Sequence, residues 1–167
     1  PKPRCVAEAG RPAEVILDEA ERREGTLIVM ATHGYSGLQR WFLGSVAHKV
    51  VQGADCPVLL FPAGAKGPEG GPVELNRLIV PLDGSELAEH ILPYAVHLCR
   101  VLDTEMILLR AYNPTFPGST VRMHQVSQIV KESAENYVKE KALQLESEGC
   151  KKLSYRVLRG VPAEQIT

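Results

Sequence analysis

An excess of either charge is missing from this sequence: 19 lysines and arginines stand against 20 aspartates and glutamates, a formal net charge of -1. A chain so balanced offers no broad cationic surface to phosphate backbones or anionic lipid, so neither nucleic acid nor a membrane surface is expected as a partner. Long apolar runs are missing too. The stretch Cys56-Pro57-Val58-Leu59-Leu60-Phe61-Pro62 is far shorter than the ~18 residues needed to span a bilayer, and nothing resembles a signal peptide. The four cysteines (Cys5, Cys56, Cys99, Cys150) form no C-x-x-C pair and share no ligand spacing with the five histidines. Disulfides and structural zinc are therefore not expected, and free thiols fit a reducing, cytoplasmic setting. What is present is an ordinary globular composition: 167 residues, 44% hydrophobic and 23% charged, enough for one core or parts of two.

Along the chain, strand and helix patterns alternate. An extended run from Arg4 to Ala9 ends at Gly10, and Pro12 stands where a helix can begin, because its missing N–H is not needed in a first turn. Val15, Ile16 and Ala20 set among acidic neighbours have helical periodicity. Thr26 to Ala31 is a continuous apolar run, which predicts a strand buried on both faces of a parallel sheet. A glycine-containing loop follows from Thr32 to Gly37; then Gly44-Ser45 opens a helix over Val46 to Val51, and Cys56 to Phe61 reads as a strand. Residues 63–75 are rich in Gly and Pro without apolar periodicity, a linker able to extend ~40 Å at most.

Beyond it, the pattern predicts a strand over Arg77 to Leu82, the loop Asp83-Gly84, and a helix capped by Ser85. Leu87, Ile91, Ala95, Leu98 and Leu102 are expected as the buried stripe of that helix, with a kink at Pro93. A strand over Glu105 to Ala111, a proline-rich loop, a long polar helix from about Val121 to Glu148, and a strand over Leu153 to Leu158 closed by Gly160 complete the order. Such alternation predicts an α/β protein with a mostly parallel sheet. Gly10, Pro12, Ala13, Glu14 and Ile16 reappear as Gly160, Pro162, Ala163, Glu164 and Ile166, an offset of 150. The repeat, the missing initiator Met and the end at Thr167 predict a piece of a tandem-repeat protein, in which the third strand occurs twice.

The most specific chemical signal runs from Ala31 to Val46. A buried strand delivers the chain to a glycine turn, and Gly44-Ser45 sits at a helix N-terminus, where free amides, the positive dipole end and a hydroxyl can hold phosphate. This stretch resembles the universal stress protein family, whose nucleotide signature reads Gly, two residues, Gly, nine residues, Gly, then Ser or Thr. Gly34, Gly44 and Ser45 keep that spacing, and Ala31 replaces the first glycine. The resemblance continues through Ala47 to Val51 and Cys56 to Leu60, restarts at Leu78 to Ser85, and includes Ile107 to Ala111.

The resemblance implies an open, mostly parallel five-stranded sheet in order 3-2-1-4-5 with helices on both faces, like the adenine nucleotide alpha hydrolases. Residues 1–62 would be the C-terminal half of one domain and 76–167 the N-terminal half of a second, the two halves either closing into one permuted or swapped domain or each belonging to a longer tandem domain. It further implies ATP, or AMP or ADP, with Mg²⁺, and a stress-response regulator; the short apolar run Cys56 to Phe61 itself suits an edge strand and a homodimer through it. Pro81 and Asp83 would line the adenosine, with Ala111 beside the base; Met30 and Ala31 would approach the same moiety. Gly34 would take the ribose and phosphate turn, and Gly44, Ser45 and Val46 the phosphates.

Plainer roles compete for several of these residues. Asp83 before Gly84-Ser85 also suits a turn acid, and Gly44-Ser45 also suits a ligand-free helix start. His33 lacks a partner base or nucleophile in the sequence, and Trp41-Phe42-Leu43 reads as packing. No catalytic or metal-ligating set is expected. With no G-x-x-x-x-G-K-[ST] present, ATP hydrolysis would be at most slow. The alternative is an interaction module that binds no nucleotide, pairing through the strand at Cys56 to Phe61.

Overall fold

Arg11 and Pro12 start helix α1 (Pro12–Glu21) without a side-chain cap, Pro12 supplying the preset φ of a first turn. The computed structural model describes residues 2–32, 43–62, 71, 74–113 and 120–166, in two compact units, Pro1–Val73 and Glu74–Thr167. The loop residues 33–42, including His33, Gly34, Trp41 and Phe42, and most of the linker lie outside the described residues, as do residues 114–119.

In the first unit, strand β1 (Ile28–Ala31), helix α2 (Ser45–Gly53) and strand β2 (Val58–Phe61) follow α1. The two strands pair in parallel, Ile28 with Val58 through Ala31 with Phe61. Alternation puts Ile28 and Met30 on one face, where Ile28 packs with Ala13 and Val50 in a small core bordered by Ile16, Leu17, Val46 and Val58. Val29 points the other way and is 57% exposed. The apolar run therefore is not buried on both faces, because the helices of this unit's core cover one side of its two-stranded sheet. Nor do Arg4 to Ala9 form a strand: they are exposed and unpaired into any sheet. The matching run later in the chain lies against a long central strand, and the described first unit holds no counterpart for residues 4–9 to join.

The second unit begins with strand β3 (Arg77–Pro81), helices α3 (Glu86–Glu89) and α4 (Leu92–Leu102), and strand β4 (Glu105–Tyr112). Helix α5 (Thr120–Ser147), strand β5 (Leu153–Arg159) and helix α6 (Pro162–Ile166) complete it. Its sheet is parallel throughout, in order β3-β4-β5, with Val80 opposite Leu108 and Leu108 opposite Tyr155. Parallel neighbours need a crossover longer than a hairpin, and α3–α4 and α5 supply it. Val80, Leu82, Met106 and Leu108 meet Leu92, Ala95, Val96 and Cys99 of α4 and Ala142 and Leu145 of α5 in the core of this unit. Each large side chain fully buried there, such as Met106 or Leu108, contributes about 1.5–3 kcal/mol.

The expected kink at Pro93 is a full interruption between α3 and α4, with Pro93 in the first turn of the second helix. The break resets the helical phase. Of the stripe expected to be buried, only Ala95 is inside, while Leu87 is 79% exposed and Ile91, Leu98 and Leu102 are also exposed. Leu92, Ala95, Val96 and Cys99, at i, i+3, i+4 and i+7 from the new start, form the buried face instead.

Candidate functional site

Two groups of candidate residues stand at the carboxyl ends of parallel strands, where open α/β sheets present ligand-binding loops. In the first unit, Met30 and Ala31 end β1, and the amide of Thr32 donates to the carbonyl of Phe61 at 2.8 Å. Gly44 is the N-cap of α2, and its own amide donates to the carbonyl of Thr32 at 2.8 Å, which ties the helix start directly to the strand end. Gly44 has φ -57 and ψ 150, an extended conformation open to any residue, so backbone strain does not require glycine there. The amides of Ser45, Val46 and Ala47 lie in the first helical turn and have no intrahelical acceptor. Ser45 is exposed, whereas Met30 and Val46 pack against the core, leaving only their main chains for a ligand. Gly34 falls outside the described residues.

The second unit brings Pro81, Asp83 and Ala111 together at the ends of β3 and β4. Pro81 is in register with Leu109, and the amide of Leu82 donates to the carbonyl of Leu109 at 2.8 Å. The chain then turns at Gly84, whose φ of +87 is a left-handed conformation that L side chains rarely adopt. Asp83 is exposed and is held by Ser85, whose amide and hydroxyl both donate to Asp83 Oδ1, at 2.9 and 2.6 Å. The same Ser85 Oγ accepts from the amide of Ala88 at 3.1 Å and caps α3. The Ser85 hydroxyl, then its amide, hold the Asp83 carboxyl below the usual range, and the charge of Arg110 adds to the shift.

Arg110 was not among the residues singled out from the sequence. It belongs to the Met106-Leu108-Arg110 face of β4, and its guanidinium carbon lies 4.7 Å from the ring centroid of Tyr137 on α5. Its Nη1 is buried without a hydrogen-bond partner, a state that costs ~1–3 kcal/mol or more for a charged donor. Stacking over the ring recovers ~0.5–2 kcal/mol of that. Tyr137 donates to Glu89 at 2.8 Å, and Lys141 donates to the same carboxylate at 2.6 Å. Burial and then the Glu89 bond push the Tyr137 phenol up to about 12. Lys141, against desolvation, holds Glu89 below the ordinary carboxylate range. The signal that could have found Arg110 is its place as the one charged residue within Met106 to Tyr112.

A phosphate suits the first group, which has amides, a helix start and a hydroxyl; an acceptor for hydroxyl or amino donors suits the second, through Asp83. Among the described residues no group of three or more His, Cys, Asp or Glu side chains is placed to hold a metal. No helix there is long and apolar enough to cross a membrane.

The model of the Universal stress protein family matches residues 1–62. A universal stress protein of Methanocaldococcus jannaschii is 51% identical over 51 residues, 30% of this chain and 30% of that protein. Universal stress protein YxiE of Bacillus subtilis is 49% identical over 51 residues, 30% of this chain and 34% of its own length. The matched segment thus spans about a third of the length of these curated relatives. The crystal structure of a universal stress protein from Archaeoglobus fulgidus superposes with a TM-score of 0.63 at 21% identity, over 93% of this chain and 49% of that one. That likeness concerns the α/β fold.

Proposed function

We propose that this chain, which belongs to the universal stress protein family, binds ATP or a related adenine nucleotide (AMP or ADP) and acts as a stress-response regulator in the cytoplasm. One observation carries the reading: Gly44-Ser45 starts a helix that is hydrogen-bonded directly to the end of β1 through Thr32, at the position of the Gly34-x9-Gly44-Ser45 signature. That arrangement supports a phosphate site on the first-turn amides and the Ser45 hydroxyl. Asp83, with both its Ser85 bonds on Oδ1, keeps acceptor capacity for the adenosine part, beside Pro81 and Ala111. Mg²⁺, where present, would be carried by the phosphates.

The chemistry proposed is binding. Rapid hydrolysis would need a general base or a metal-organising set, and the residues named provide donors and dipoles instead. The finer architecture belongs to the same proposal: β5-β4-β3 and β1-β2 would be the 3-2-1 and 4-5 parts of a five-stranded sheet with helices on both faces. The half-buried strand β2, paired on one side only among the described residues, supports a homodimer through its remaining edge.

Titration calorimetry with ATP tests the reading. The wild-type chain should bind, and Gly44→Val, whose side chain intrudes on the phosphate approach, should not. Equal affinity in the two proteins would remove Gly44 from the site.

A further inference from the structure

A guanidinium inside an apolar strand face is expensive, and Arg110 is not placed there to form an ion pair. Among the described residues it makes none within 4.0 Å. Its guanidinium instead meets two elements. One is the ring of Tyr137, fixed in turn by the Glu89 carboxylate that Lys141 also holds. The other is Gly84, so close that a Cβ there would collide with Nη1. The loop carrying Asp83 is thus seated directly on a cation that does not touch the Asp83 carboxylate.

We propose that Arg110 is a positioning residue for the loop Asp83-Gly84-Ser85: it backs the loop at Gly84 and sets a positive charge near the Asp83 carboxylate without occupying its acceptor oxygens. A direct Arg–carboxylate pair would be bidentate and would consume those oxygens. A stacked guanidinium behind the loop supplies the same charge and leaves them open to a ligand. The rest of the surroundings agrees with this division. Ser85 fixes one oxygen of Asp83, while Glu89 is neutralised locally by Lys141 and hydrogen-bonded by Tyr137. This inference rests on the reading that Asp83 meets the adenosine part of a nucleotide.

The test compares wild type with Arg110→Met and Arg110→Lys, using two readouts. The first is the NMR titration of the Asp83 side-chain carboxyl in the ligand-free protein; the second is ATP affinity by calorimetry. In Arg110→Met the Asp83 midpoint should move up, and ATP should bind roughly tenfold more weakly, the scale of one lost hydrogen-bonded contact. Arg110→Lys, which keeps the charge but not the planar stack, should return the midpoint most of the way and the affinity only in part. An unchanged Asp83 midpoint in folded Arg110→Met overturns the proposal. So does an equal affinity in a wild type and a Met variant that both bind. If the wild type fails to bind ATP while the midpoint still follows the charge at residue 110, the nucleotide reading falls and the positioning role stands. Should Arg110→Met fail to fold, Arg110→Gln is read in its place against the same outcomes.

Discussion

Tyr137 holds the polar cluster of the second unit together, and its own proton shows how. Burial of the phenol, and then the bond it donates to Glu89, favour the protonated form against the opposing charge of Arg110 stacked on the ring, and its pKa rises to about 12. A folded-state value above the unfolded one of ~10 means that the folded chain keeps a proton the unfolded chain has already lost. The stabilisation is complete below pH 10 and declines as pH rises from there toward 12. Tyrosinate absorbance should show one of the five tyrosines titrating about two units late, and Tyr137→Phe should delete that late transition. If all five titrate together near the ordinary value, Tyr137 is neither buried nor bonded to Glu89 in solution. Legibility also differs residue by residue. Gly44 and Ser45 stand out by local spacing and Asp83 by the family resemblance, whereas Arg110 lies against Tyr137, 27 positions on, a relation that neither periodicity nor motif spacing contains.

At the scale of elements, the alternation of strand and helix was readable, because parallel strands are apolar runs and their crossovers are periodic. Predicted and observed boundaries of β3, β4 and β5 differ by a residue. The failures have a common cause in neighbours that the sequence does not name. Leu87, Ile91, Leu98 and Leu102 make as good a helical stripe as Leu92, Ala95, Val96 and Cys99, and only the break at Pro93 decides which one faces the sheet. Arg4 to Ala9 likewise has the pattern of an edge strand but no described strand to pair with. The short helix α3 owes its existence to its cap. Four residues cannot sustain a helix by propagation, since nucleation is costly, so the Ser85 hydroxyl on the Ala88 amide is a large share of what holds it. Ser85→Ala should cost about 1 kcal/mol in urea unfolding and raise the Asp83 carboxyl midpoint, because the Ser85 bonds are the largest cause of its low value. A substitution neutral in both measurements would show that the loop is held without its cap.

For the whole molecule the question is how two units, each with a sheet too small to bury both faces, satisfy the exposed apolar residues that remain. Val29 on β1 and Ile79 on β3 are both more than half exposed, at 57% and 52%, on strands that would be neighbours in a 3-2-1-4-5 sheet. A two-stranded sheet is marginal in water, and three or more strands with packed helices are the smaller stable arrangements, so joining the sheets would gain burial that neither has alone. The five-stranded order proposed above would make β1 and β3 neighbours, within a chain or by exchange between two, with the Gly44-Ser45 helix start and the Asp83 loop serving a single nucleotide. Spin labels at His48→Cys on α2 and Glu86→Cys on α3 report on this without touching either group, since both positions are exposed. Only Cys5 and Cys56 need replacement first, because Cys99 and Cys150 are buried. The labels should lie within about the span of one nucleotide. Dilution of doubly labelled chains with unlabelled ones then separates the two modes: a within-chain distance survives, and an exchanged one loses amplitude. Separations longer than a nucleotide under both conditions would leave each half-site to be completed by a different partner, and ATP affinity would then depend on that partner rather than on residues of this chain alone.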